Sequence, residues 1–199
     1  MAAMAPPVAD EREGLKEYVA AQQYAFHAIA FGLTDEQARS TPSVSAMSIG
    51  GVIKHVTHCQ HGWMERVAAA PELTEMDQRP MEDQAADYGD EFVMREDETL
   101  AELLAKFDVQ NAVTIRLIEA ADLGAAVPIP QHVPWFPKDV PAWSVRWVAF
   151  HQLNELARHA GHADIIRESI DGATMYELMA ANEEWPETDF IKRWKPAGV

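Results

Sequence analysis

Arg146-Trp-Val-Ala-Phe-His-Gln-Leu-Asn-Glu-Leu-Ala-Arg-His-Ala-Gly-His-Ala-Asp-Ile-Ile-Arg167 is the stretch that decides the fold. No proline interrupts the chain from Ala142 to Ile170, and Gly161 is the one glycine in that run. At about 100° per residue, Val145, Val148, Ala149, Leu156, Ala160, Ala163, Ile166 and Ile170 fall on one face. That is the period of a long amphipathic helix laid against a core. His159 falls inside the apolar face and Glu155 on its flank, four residues earlier. Residues so spaced on a helix are stacked neighbours, about 5–6 Å apart at Cβ. A carboxylate turned toward a core is costly unless something pairs with it. Two arrangements meet that need. Either an arginine pairs with Glu155 while His159 is a hydrogen-bonded core histidine, or one divalent metal is gripped by both.

Working outward, three more long segments show the same period. The first runs from about Asp10 to Leu33, with Leu15, Tyr18, Val19, Phe26 and Ile29 as its stripe; Asp10 and Glu13 resemble a capping box. The second runs from about Ser48 to Ala70, with Ile49, Val52, Ile53, Val56, Trp63 and Val67 inward and Pro71 just beyond its end. The third runs from about Asp97 to Asp122, with Leu100, Leu103, Leu104, Phe107, Ile115 and Ile118 inward and Gly124 as its stop. The fourth spans Ser144 to Ile170, and a short helix is predicted over Thr174 to Ala181. No β-branched run alternates polar and apolar residues. The fold expected is all-α, an up-down four-helix bundle. The first connection, Thr34 to Met47, is short. The second, Pro71 to Glu96, is long and acidic, with room for a short helix. The third, Gly124 to Trp143, is long and proline-rich, and its Trp135, Phe136 and Trp143 either roof a pocket or seal one end of the core.

Residues 1–199 are read as a single domain, with a frayed start over 1–9 and a tail over 182–199. The formal charge of −16 argues against nucleic acid, which needs a basic surface, and against an anionic membrane. No apolar run approaches the roughly 20 residues of a membrane span. The first ten residues carry neither a basic segment nor a long apolar one, so they do not read as a signal peptide. Cys59 is the one cysteine, so no intrachain disulfide forms; this fits a cytoplasmic location.

A metal at Glu155 and His159 needs a donor from another helix. The second helix offers His55, His58 and His61. By phase His55 borders the apolar stripe, while His58 and His61 turn to solvent. Two histidines and a glutamate suit Zn²⁺ with an open position; Ni²⁺, Fe²⁺ and Mn²⁺ share the ligand type. His162, one turn beyond His159, and His151, one turn before Glu155, are candidates for a substrate contact or a catalytic base and are read as non-ligands. Cys59 lies one turn from His55 on the core side and is read as a small hydrophobe. The Glu-x-x-His pair of di-metal bundles and the His-Glu-x-x-His of zincins are both absent.

Two segments carry a family resemblance: Ser48-Ile-Gly-Gly-Val-Ile-Lys-His55, with Trp63 eight residues on, and Glu155-Leu-Ala-Arg-His159-Ala-Gly-His162-Ala-Asp164-Ile-Ile-Arg167-Glu168-Ser-Ile-Asp-Gly172. On these the chain resembles the DinB superfamily, and within it a branch of unknown function related to mycothiol-dependent enzymes. Many members hold a metal with three histidines; the His/Glu/His version is similar to that of mycothiol-dependent maleylpyruvate isomerase. The resemblance implies a four-helix bundle, a divalent metal on His55, Glu155 and His159, and a homodimer. It also implies a low-molecular-weight thiol such as mycothiol as cosubstrate and a small electrophile as its partner. The leading expectation is therefore a metal-dependent thiol S-transferase. The alternatives are a metal-dependent hydrolase, with His162 or His151 as base, and a non-catalytic dimeric metal-binding protein.

Overall fold

The computed structural model describes residues 4–74 and 79–196. Four long helices form the bundle: α1 (Glu11–Ala30), α3 (Ile49–Ala69), α5 (Leu100–Ala120) and α6 (Val145–Asp171). Short helices α2 (Asp35–Arg39), α4 (Met81–Asp90) and α7 (Met175–Asn182) fill the connections and follow the bundle. The starts are set by side-chain caps. Asp10 accepts from Glu13 N, Ser48 from Gly51 N, Thr99 from Glu102 N and Ser144 from Trp147 N. Each satisfies a backbone donor that a helix start leaves free. Gly172, at φ 76°, ends α6 in the left-handed conformation that glycine adopts without strain.

The bundle is the all-α fold expected, with long second and third connections. The helix directions depart from a simple up-down alternation. Arg146 at the start of α6 pairs with Glu11 at the start of α1, and Arg167 near its end bonds Ile29 O near the end of α1, so α1 and α6 run parallel. Arg12 of α1 bonds Ile118 O of α5, and His55 of α3 meets His159 of α6, so both those pairs are antiparallel. The order is up, down, down, up, and α3 and α5 therefore run parallel. A parallel neighbour needs a connection that travels the bundle's length, about 32 Å for 21 residues. This is why the second connection is long. The core lies between the stripes, with Phe26 edge-on to Phe107 at 5.4 Å and Ile53, Leu156 and Ile166 fully buried.

Two features were not expected. The first connection contains α2, held by a capping box between Thr34 and Gln37. The third contains a two-stranded antiparallel ladder, β1 (Ala126–Pro128) with β2 (Ala142–Ser144), in which Val127 pairs with Trp143. Three residues per strand are too few for an alternation to register in sequence. The ladder pins both ends of the loop, so residues 129–141 project as one excursion over the α3–α6 face. The C-terminal tail is docked as far as Trp194, whose ring stands over the Arg167 guanidinium at 4.8 Å. Residues 1–3 of the predicted frayed start and 197–199 of the predicted tail lie outside the described residues. No helix among the described residues is long and apolar enough to cross a membrane.

Candidate metal and substrate site

The site begins with two glycines. A side chain on Gly51 would collide with the Phe92 carbonyl, and one on Gly50 with Met94. Their absence lets the segment after α4 cross α3 at close range. Lys54 fastens that crossing, with Nζ 3.1 Å from Val93 O and 3.1 Å from a Glu98 carboxylate oxygen. Phe92 is thereby laid flat on the His55 ring, 3.9 Å between centroids. Glu91 is carried to 3.5 Å from Nδ1 of both His55 and His58. Burial raises the Glu91 carboxyl, but the two imidazoles beside it outweigh this and hold it down at about 2. The contact with His55 falls short of a hydrogen bond, and the buried Nδ1 has no hydrogen-bond partner among the described residues.

His55 and His159 meet edge-on across the α3–α6 interface, 4.8 Å between centroids. His159 Nε2 lies 3.7 Å from Glu155 Oε2, and its Nδ1 is buried without a hydrogen-bond partner among the described residues. Burial, with His55 beside it, lowers the pKa of His159, so the ring is neutral at neutral pH. The structure thus puts His159 beside both His55 and Glu155. Among the described residues no three His, Cys, Asp or Glu side chains form a ready-made cation cage. No arginine pairs with Glu155 among the described residues; His159, 3.7 Å away, is its neighbour.

A cavity of about 450 Å³ opens from this group along the α3–α6 groove. His55 and Glu155 line one part of it, with Trp135 and Phe136 of the third connection over it. Trp143, by contrast, is buried behind Phe136, to which it stands perpendicular at 4.9 Å. So two of the three loop aromatics wall the cavity and the third seals the core. His151 lines the cavity, stacked on Trp147 at 5.0 Å, and burial lowers its pKa. His162 turns away, 3.0 Å from Ser45 Oγ. His58 is half exposed yet reaches the cavity wall, and His61 pairs with Glu65 in solvent. Cys59 also lines the wall; burial and the Glu155 charge push its thiol up to about 12, so it stays protonated.

The mycothiol-S-transferase family matches residues 14–172, which include every residue of this group. The chain belongs to the mycothiol-S-transferase family. This places it in the DinB superfamily that its two motifs resemble. No curated protein is significantly similar to it. A solved structure described as that of the conserved protein of locus from Enterococcus faecalis is similar at 14% identity and a TM-score of 0.55. That likeness covers 83% of this chain and 100% of the other, and at such identity it shows the fold alone.

Sequence reasoning about this mycothiol-S-transferase family member missed two residues of the site. Glu91 sits just past α4, where no helical phase points it anywhere. Arg66 lies on α3 in phase with His55 and lines the same cavity, a relation that spacing alone could have shown.

Proposed function

We propose that the protein is a metal-dependent S-transferase joining a low-molecular-weight thiol of the mycothiol type to a small electrophile. The observation that carries this reading is the meeting of His55, Glu155 and His159 beside a cavity, in a chain of the mycothiol-S-transferase family. The donor set suits a divalent metal. Two buried imidazole nitrogens lack partners, burial keeps His159 neutral, and Glu155 supplies one negative charge. Zn²⁺ takes such a set with one position open, and Ni²⁺, Fe²⁺ or Mn²⁺ could replace it. When bound, the cation supplies the positive charge that favours thiolate over thiol at neutral pH.

The protein's own groups do the rest. His151, neutral through burial and facing the cavity, takes the proton the thiol gives up. Trp63, Trp135 and Phe136 hold the apolar part of the electrophile against the reacting sulfur. The sulfur lone pair forms the new S–C bond, and the leaving group departs with the electrons of the bond it breaks.

The test uses protein purified without a histidine tag. Its metal content is measured, and 1-chloro-2,4-dinitrobenzene is offered with mycothiol, bacillithiol or glutathione. Thioether formation should require the thiol and collapse on chelation. Turnover that persists in metal-free protein overturns the reading. Metal-dependent cleavage of a p-nitrophenyl ester without any thiol assigns the site to hydrolysis instead.

A further inference from the structure

The cavity has a second polar end. His55, Gly62 and Arg66 are at positions i, i+7 and i+11 of α3, which brings all three onto one stripe of the helix. All three line the cavity. Gly62 leaves its floor bare between the two side chains. Arg66 folds back over that glycine, with Nη1 2.6 Å from Gly62 O. The guanidinium therefore hangs near the level of residue 62, about 10 Å along the helix from His55 at 1.5 Å per residue.

Beyond its bond to Gly62 O, Arg66 keeps donors that the fold does not use. Its Nε is buried and has no hydrogen-bond partner among the described residues. Among the described residues it forms no ion pair with a carboxylate; Glu65 acts on it only at longer range. Its carbon lies 5.4 Å from the Trp63 ring centre, so the guanidinium is oriented by an aromatic face that cannot neutralise it. A partly desolvated, uncompensated guanidinium is costly, and a fork of donors is the shape that carboxylate and phosphate fit. The cavity is also polarised. Glu91 and Glu155 line the His55 end, while Arg66 is the guanidinium at the other.

We propose that Arg66 is the anion-recognising end of this cavity, so that the substrate carries a carboxylate or phosphate group about 10 Å from its reacting atom. This rests on the transferase reading for the reacting end only. Trp63 supplies the flat wall between the two ends, which favours a linker that is apolar or aromatic.

The test measures binding, without thiol or turnover, to the full chain as purified. The probes are 4-phenylbutyrate and its neutral amide, titrated while the Arg66 Nε–H resonance and indole fluorescence are followed. Wild type should prefer the acid by about tenfold or more, the range of a charge-assisted hydrogen-bonded pair. The acid should move the Arg66 Nε–H resonance. Arg66→Gln should lose the preference while binding the amide as before, and Arg66→Lys should keep part of it. Equal binding of acid and amide to wild type, or failure of both to bind, overturns the proposal. So does a preference that survives in Arg66→Gln, because the anion then sits elsewhere. Thiol transfer that proceeds without any preference for the acid sinks this inference alone. A preference lost in Arg66→Gln in protein that transfers no thiol leaves the inference standing and removes the transferase reading.

Discussion

The Glu91 carboxylate stands 3.5 Å from His55 Nδ1, with Phe92 stacked on the same ring. A carboxylate so close acts on the ring through its charge, short of a hydrogen bond, and raises the donor strength of a histidine beside it. Glu91→Gln keeps the shape and removes the charge. It should weaken Zn²⁺ retention by about tenfold or more, read by competition with a chromophoric chelator. An unchanged affinity would mean that Phe92 alone orients the ring.

His55 and His58 both neighbour Glu91, yet they differ in surroundings. His55 is buried against His159, whereas His58 is half exposed and on the far side of the carboxylate. His55→Ala should strip the metal and His58→Ala should leave metal content near wild type. Metal analysis of the two variants, purified side by side, decides this. The reverse pattern removes His55 from the ligand set. Glu155→Gln should fall between them, since it keeps an oxygen donor and loses the charge that offsets the cation.

Much of this was legible in the chain. The 3.6-residue period of residues 145–170 placed Glu155 and His159 on the core side, and the phase of α3 separated His55 from His61. Helix directions were not legible, because amphipathic stripes carry no polarity; the parallel run of α3 and α5 shows only in contacts such as Lys54 with Glu98. Glu91 was hidden because it reaches His55 through the bare backbone at Gly50 and Gly51, a long-range contact without a local pattern. Arg66 shares the helical phase of His55 but gives no other sign of itself in the sequence. Its significance depends on having no acidic partner, which a sequence cannot state.

Arg167 should prove the costliest polar residue to remove. It is fully buried, its Nη1 bonds Ile29 O at 2.6 Å and Phe31 O at 2.9 Å, and its other nitrogens hold Asp171 at 3.0 and 2.9 Å. It ties the end of α1 to the end of α6. Arg167→Met would leave Asp171 without its main partner and two carbonyls unbonded, at about 3 kcal/mol or more. Urea unfolding should show the loss as a lower midpoint at unchanged slope. A change under about 0.5 kcal/mol, the ordinary surface range, would mean the contacts are made equally well by water.

Asp164 sets a pH dependence of stability. Burial, then the nearby Glu168 charge, raises its carboxyl from 3.8 to about 6. In the unfolded chain the group releases its proton near the ordinary value, so between those two pH values the folded state holds more protons. Stability linked to this residue is therefore complete below pH 4, declines as pH rises toward 6, and stays lost above it. Asp164→Asn cannot ionise and should be free of that decline. At pH 4 the variant and wild type should unfold alike; at pH 7.5 the variant should be the more stable by about 1 kcal/mol, after allowance for solvent screening of a half-buried group. Urea titrations of both proteins across this range give the difference directly. A difference that is flat with pH, or that grows toward acid, would show that the folded protein does not hold the Asp164 proton.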